Sequence, residues 1–295
     1  MYKYRIGIIG TENTHSHQFI SLFNKPDENG EFRYPDCHVT LVYGHYPEEN
    51  TRAVEELGAD KVAESIEEMV ENVDAVMITA RDGKFHYEFA KPFIEAGIPA
   101  FIDKPFTADP KEAVALAKLA MEINVPVCGG SYLKFAEDLN EFKDFIKEKE
   151  GKITASSVCA PVILDSEYSG FFFYAPHLCE ITLELFGYYP KSVLANRNNK
   201  NVCAIVSYDG FDVSNHFNDG TPLYLANVCS KEGNLYKKID LSKCGEAECE
   251  SFVNMLRTGE MAHSYRQLVM PVCYMQAIKE SYETGKPVDI ECEIE

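Results

Sequence analysis

No stretch of the 295-residue sequence comes near the roughly 20 consecutive apolar residues that a membrane-spanning helix needs. The opening residues, MYKYRIGIIG, hold an apolar run too short for the core of a secretory leader, so a cytoplasmic protein is expected. Basic residues are in short supply: 28 Lys and Arg stand against 47 Asp and Glu, a formal charge of −19. A field of that sign repels nucleic acid and anionic lipid, which sets aside nucleic-acid and membrane-surface functions. The ten cysteines are scattered and form no C-x-x-C pair, so zinc and dithiol redox motifs are missing. Most are expected to be small buried thiols in a reducing compartment; a pairing or metal site at Cys244 and Cys249 is the alternative. No internal repeat or low-complexity linker is visible.

What remains, 45% hydrophobic and 25% charged, is ordinary globular composition with length for two cores. From Tyr4 to about residue 130, short apolar runs alternate with helical patterns, as in βαβ units wound on a parallel sheet. The runs are Tyr4–Ile9, His38–Tyr43, Asp74–Thr79, Ala100–Ile102 and Val127–Cys128. Helices are expected over Thr51–Leu57, Ile66–Val70, Phe85–Glu95 and Pro110–Ile123, with Ala96-Gly97 as a stop and Asp109-Pro110 as a start. Ligands of such sheets bind at the carboxyl edge, where strand order reverses.

The second half changes character. Val202–Tyr208, Phe211–Phe217 and Leu223–Cys229 are β-rich runs joined at Asp209-Gly210 and Asp219-Gly220, and an Asp-Gly pair between strands signals a hairpin. An antiparallel meander follows, extended by Ile153–Ala160 and Tyr236–Ile239, with helices near 175–186 and 264–283. The expected fold is α/β plus α+β: a Rossmann-like doubly wound parallel sheet over 1–126, then an open antiparallel sheet with helices over 127–295. One sheet face left bare by the helices would suit an oligomer interface, so a homodimer or homotetramer is expected.

The loop after the first strand reads Gly10-Thr11-Glu12-Asn13-Thr14-His15-Ser16-His17. A dinucleotide fold carries G-x-G-x-x-G here, the second glycine admitting the pyrophosphate and the third letting helix pack on strand. Only Gly10 is present; Glu12 and His15 stand in the other two places. A carboxylate at Glu12 repels a diphosphate if it points into the site, and could itself occupy the positive end of the helix. The acidic residue that holds an adenosine ribose after strand two is also missing, since Tyr43-Gly44-His45 stands there. Two readings stay open: a plain turn and helix cap with Asn13, Thr14 or Ser16 as N-cap, or a loop reworked for another ligand.

Three passages nevertheless keep a common order. Ala100-Phe101-Ile102-Asp103-Lys104-Pro105-Phe106 resembles the E-K-P signature of the Gfo/Idh/MocA oxidoreductases, with Asp for Glu. Ile78-Thr79-Ala80-Arg81-Asp82-Gly83-Lys84-Phe85-His86 resembles that family's strand, loop and T-P-N-x-x-H ending, with only His86 retained. Ala277-Ile278-Lys279-Glu280-Ser281-Tyr282-Glu283-Thr284-Gly285-Lys286-Pro287-Val288 resembles its closing helix and strand. The resemblance spans nearly the whole chain. It implies NAD or NADP as cofactor and a sugar, cyclitol or related polyol as substrate. By position, cofactor contacts would come from Gly10, Thr11, Glu12, Asn13, Thr14, His15, Ala80, Arg81, His86 and Asp103.

The same resemblance gives Lys104 the signature lysine's place, at the reacting hydroxyl or the nicotinamide ribose; a partly buried ammonium there has a lowered pKa and can polarise a hydroxyl. The family's D-x-x-x-H motif aligns with Phe173-Tyr174-Ala175-Pro176-His177, so His177 would move the substrate proton, although Phe173 replaces the aspartate. Its orientation must then come from elsewhere, with Tyr174 and Glu180 as candidates. Tyr132 and Lys134, after strand six, join Tyr174 and Glu180 as substrate-side candidates. The plainer alternatives are a structural ion pair for Lys104, a buried satisfied imidazole for His177 and a surface charge for Lys134.

Two other functions fit the altered residues. A ligand-binding or regulatory descendant without cofactor would explain Glu12, His15, Gly44 and Phe173. A metal-dependent lyase, isomerase or hydrolase could draw on a rim of Glu12, His15, His17, His45, Asp82, His86 and Asp103, though no compact metal spacing supports it and no metal is expected.

Overall fold

The computed structural model describes residues 2–295. The first half alternates strand and helix: β1 (Tyr4–Ile9), α1 (Thr14–Asn24), β2 (Cys37–Tyr43), α2 (Pro47–Glu55), β3 (Lys61–Val62), α3 (Ile66–Asn72), β4 (Ala75–Ile78), α4 (His86–Glu95), β5 (Ala100–Asp103), α5 (Pro110–Ile123) and β6 (Val127–Gly130). The six strands are all parallel, in the order β3-β2-β1-β4-β5-β6. Strands β4, β5 and β6 are buried along their whole length, because helices cover both faces of a parallel sheet. The order reverses between β1 and β4, and that crevice is where a doubly wound sheet binds ligands.

Local chemistry sets the helix starts. Asn13 caps α1 by accepting from the His15 amide, and Asp109 caps α5 ahead of Pro110 in its first turn. The strand runs and the span of α5 are as expected. Strand β6 begins at the expected break between 126 and 127 and pairs in parallel with β5, so the first sheet runs on to Gly130.

The second half contains α6 (Asp138–Glu148), β7 (Ile153–Val162), α7 (Ala175–Phe186), β8 (Ser192–Asn198), β9 (Asn201–Ser207), β10 (Asp212–Asp219), β11 (Leu225–Ser230), β12 (Gly233–Lys238), α8 (Cys244–Thr258), α9 (Tyr265–Thr284) and β13 (Val288–Asp289). Their sheet runs β12-β11-β7-β10-β9-β8-β13. Asp209-Gly210 makes the expected hairpin between β9 and β10. Asp219-Gly220 does not join neighbours: β7 inserts between β10 and β11 and runs parallel to β10, so the sheet is mostly antiparallel rather than a meander. Helix α7, buried from Ala175 to Leu183, packs on β7 and β10, while α9 spans from α5 and β6 to β8.

Helix α8 returns to the first sheet. Cys249, Phe252, Val253 and Met255 join the core of Phe19, Phe23 and Phe101, with ring centroids of Phe252 6.1 Å from Phe101 and 6.4 Å from Phe23. Polar ties flank this apolar stripe: Tyr4 donates to the Leu256 carbonyl at 2.8 Å, and Arg257 forks onto Asp36 at 2.6 and 3.0 Å. Cys244 and Cys249 are both buried free thiols, which removes their pairing as an option.

Candidate functional site

The carboxyl ends of β1, β4, β5 and β6 meet the start of α7 in one crevice. Gly10 opens it. Its φ of +99 suits glycine alone, and a Cβ there would lie 2.2 Å from the Ala80 backbone nitrogen, so the turn holds β1 close against β4. Asp103 ends β5 fully buried. It accepts from Asn13 Nδ2 at 3.1 Å and from its neighbour's Lys104 amide at 2.8 Å, with His15 Nδ1 2.9 Å away. Burial alone would raise its pKa, but the His15 and Lys104 charges outweigh that and hold the carboxyl below the usual range.

Lys104 is 6% exposed, and its ammonium lies 4.7 Å from the centroid of the Phe173 ring. Among the described residues it has no hydrogen-bonded side-chain partner. Burial lowers its pKa, Arg81 adds to the effect, and Asp103 opposes it. His177, on the first turn of α7, is ringed by Tyr132, Tyr174 and Tyr224 at centroid distances of 5.6, 5.4 and 6.1 Å. Its Nδ1 is 2.7 Å from Ser131 Oγ. Burial first, then the charges of Lys104 and His15, push its pKa well below the ordinary histidine value, so the ring is neutral.

Two expected substrate residues face each other instead. Lys134 Nζ reaches the Gly129 carbonyl and lies 3.2 Å from Glu180 Oε2, both side chains sealed from solvent. Glu180 Oε1 accepts from the Ser131 amide at 2.6 Å. Gly130 lies over this pair, with φ +87, and a Cβ there would come 2.6 Å from Glu180 Oε2. This burial rules out the surface reading of Lys134, and Glu180 serves Lys134 and Ser131 rather than His177. Burial pushes Glu180 up to about 7 although Lys134 pulls the other way. Its proton is thus bound more tightly folded than unfolded, so stability is fully present below about pH 4.5 and lost as pH rises towards 7. Glu180→Gln is expected to flatten that decline in urea titrations across the window; an unchanged slope would place the effect elsewhere.

The remaining rim residues do not converge. His86 is fully buried between the Pro105 and Ala80 carbonyls, 2.7 Å from each, so it offers no ring nitrogen to a cofactor. His45 packs on Phe85 and Phe89, and His17 lies on the Thr11 carbonyl at 2.9 Å. Asp82 accepts from Ser169 and pairs with Lys84 at 2.8 Å. Among the described residues no three His, Cys, Asp or Glu side chains come together as metal ligands.

Residues 4–130 match the family model described as oxidoreductase family, NAD-binding Rossmann fold, of the Gfo/Idh/MocA group. The match covers 127 of the 295 residues, the first domain alone, and over that domain the chain is similar to the Gfo/Idh/MocA family. Over 149 residues it is 23% identical to the inositol 2-dehydrogenase of Corynebacterium glutamicum, a match covering 50% of this chain and 42% of that protein, less than half its length. The scyllo-inositol dehydrogenase of Lactobacillus casei, solved with NAD(H) and scyllo-inositol, has a TM-score of 0.82 at 16% identity, covering 98% of this chain and 99% of that one. The myo-inositol 2-dehydrogenase of Lactobacillus plantarum gives 0.82 at 17%, with the same coverage. At these identities the likeness establishes the shared two-domain fold.

Gfo/Idh/MocA proteins are an NAD-binding family, so the loop can be tested for that group. Gly10 fits. Glu12, at the second glycine's place, folds back: its Oε1 accepts from the Arg81 amide at 2.9 Å, while Arg81 donates to the Glu12 carbonyl at 2.6 Å. Glu12 Oε2 is buried with no donor among the described residues. A diphosphate brings only acceptors and cannot satisfy it, so the loop fits the cofactor once this side chain turns out. Thr11 donates to Asn50 Oδ1 at 2.6 Å, and Asn50 donates to the Gly44 carbonyl at 2.9 Å, placing an amide where the ribose-binding acid is missing. Thr14 and His15 instead line a separate polar cavity with Tyr132. Ser131, which a sequence reading passes over, is the group that orients His177; its one signal was its place directly after β6.

Proposed function

We propose that this chain is an oxidoreductase of a secondary hydroxyl on a sugar, cyclitol or related polyol, using NAD or NADP. One observation carries the reading: a buried ammonium, without a hydrogen-bonded partner among the described residues, lies near enough to the buried His177 imidazole for its charge to help keep that ring neutral. When bound, the nicotinamide supplies the hydride acceptor. Ser131 Oγ accepts from the Leu133 amide at 3.2 Å and lies 2.7 Å from His177 Nδ1; in the tautomer in which Nδ1–H donates to it, Nε2 is free as a base. His177 then takes the hydroxyl proton, and Lys104 stabilises the negative charge growing on oxygen. Phe173 supports this by keeping water and carboxylates away from the ammonium while its ring face attracts the charge.

Titration calorimetry with NADH and NADPH, followed by polyol-dependent reduction of NAD and NADP, tests the proposal. Failure to bind either dinucleotide sinks it and leaves the cofactor-free reading, which the position of Glu12 favours.

We also infer a homo-oligomer. The open face of the second sheet carries a row running Leu194, Ile205, Ser214, Ser157, Asn227, Tyr236, in which Leu194 and Ile205 are exposed and Tyr236 is 74% exposed. Uncharged and partly apolar, that row matches a second copy of itself. Sedimentation is expected to show a dimer or tetramer that the double substitution Leu194→Glu and Ile205→Glu dissociates; a monomeric native protein contradicts the inference.

A further inference from the structure

One buried acid takes no part in the chemistry above. Glu248 faces inward from α8 at 2% exposure, and its Oε1 is sealed from solvent with no hydrogen-bond partner among the described residues. Burial pushes this carboxyl well above its usual range and Asp103 pushes it further, while Lys134 and Lys104 oppose without pairing with it. An unpaired buried carboxyl costs several kcal/mol whether it is desolvated as a charge or kept protonated without a partner, so its presence calls for a group that is not part of the chain.

Glu248 lines a cavity of about 280 Å³ together with Thr14, His15, Gln18, Tyr132 and Ser242. That lies just under the roughly 300 Å³ at which ligand pockets for drug-sized molecules begin, so it has room for a small ring or part of one and none for a dinucleotide. Apart from Leu241 and Gly245, its wall is made of hydroxyls, an amide, an imidazole and the carboxyl. Tyr132, which lines the cavity, also packs against His177: its ring centroid lies 5.3 Å from that of His15 and 5.6 Å from that of His177. A polar ring held at His177 therefore has a neighbouring polar chamber into which a substituent can reach.

We propose that this chamber is the seat of an amino substituent, so that the substrate class is an amino sugar or aminocyclitol whose ammonium pairs with Glu248. A hydroxyl would satisfy one carboxyl oxygen by a single hydrogen bond, whereas an ammonium supplies three donors and the compensating charge that no side chain provides. His15 does not fill that role: its Nδ1 is directed at Asp103, and Glu248 Oε1 accepts from no group among the described residues. The proposal rests on the polyol reading of the Lys104 and His177 site for the ring that carries the amine.

The test uses a matched pair, scyllo-inosamine and scyllo-inositol, which differ by one ammonium in place of one hydroxyl. Calorimetric titration of the full chain at pH 7, with and without saturating NADH, is expected to give at least tenfold tighter binding of the amine. Glu248→Gln, which keeps the shape and removes the charge, is expected to bring the two dissociation constants within twofold. Equal affinities in the native protein overturn the seat, and so does failure to bind either ring; both results are read on the native chain, whether or not the variant folds. A preference that survives in a folded Glu248→Gln protein overturns it as well. Turnover of either ring with NAD or NADP is read separately: an amine preference without turnover keeps the seat and removes the oxidoreductase reading.

Discussion

Lys104→Ala and His177→Ala are each expected to lower turnover by about 10²- to 10⁴-fold, the range that a positioned acid or base contributes. The two losses should differ in kind. His177 holds the proton-accepting nitrogen, so its removal should lower kcat and abolish the acidic limb of the pH profile. Lys104 sits where charge develops on oxygen, so its removal should act on kcat with smaller change in KM. Neither side chain ties elements together through hydrogen bonds: among the described residues Lys104 lacks a hydrogen-bonded side-chain partner, and His177 has the single side-chain bond to Ser131. Far-ultraviolet circular dichroism and urea midpoints should therefore stay close to those of the native chain. Unchanged turnover in both variants would remove the two residues from the chemistry.

Glu12→Gly is expected to tighten NADH binding by roughly ten- to a hundredfold, or about 1.4–2.8 kcal/mol. Two unit charges 4 Å apart at a protein surface repel by about 4 kcal/mol, and the ability of Glu12 to turn away recovers part of that. The substitution also removes the buried Oε2 that nothing satisfies, against a cost of about 0.5–1 kcal/mol for glycine's added freedom in the unfolded chain. Glu12→Gln separates the two contributions, since it removes charge and keeps bulk. Titration calorimetry at two salt concentrations reads both, and a glycine variant that binds NADH no better than the native chain shows that Glu12 does not guard the diphosphate's path.

Local signals were the legible ones. Asp109-Pro110 announced α5, and apolar alternation marked every strand of the first sheet except the two-residue β3, because caps and periodicity act within a few residues. The resemblance at Asp103-Lys104-Pro105 and at His177 pointed to side chains that do share one crevice. Pairing across the chain was not legible: Asp219-Gly220 reports a reversal, but nothing near it says that β7 will slot between β10 and β11. Lys134 and Glu180 were read separately, and only the fold brings the ammonium to the carboxylate. Glu248 looked like one acid among 47 on a charged helix, and its lack of a partner is a property of packing. Helix α8 did leave a trace, Cys249, Phe252, Val253 and Leu256 at helical spacing, but that stripe does not say which sheet it covers.

The return of α8 to the first sheet bears on how the protein is made. The six-stranded sheet is complete once Gly130 has been synthesised, yet Phe19, Phe23 and Phe101 still lack the helix that covers them. Met255 emerges 125 residues later (255 − 130), which at roughly 5–20 residues per second is about 6–25 s of translation. Through that interval an aromatic face stays open on the nascent chain, a natural station for a chaperone. The early domain becomes independent of such help only when the ribosome has nearly finished the later one.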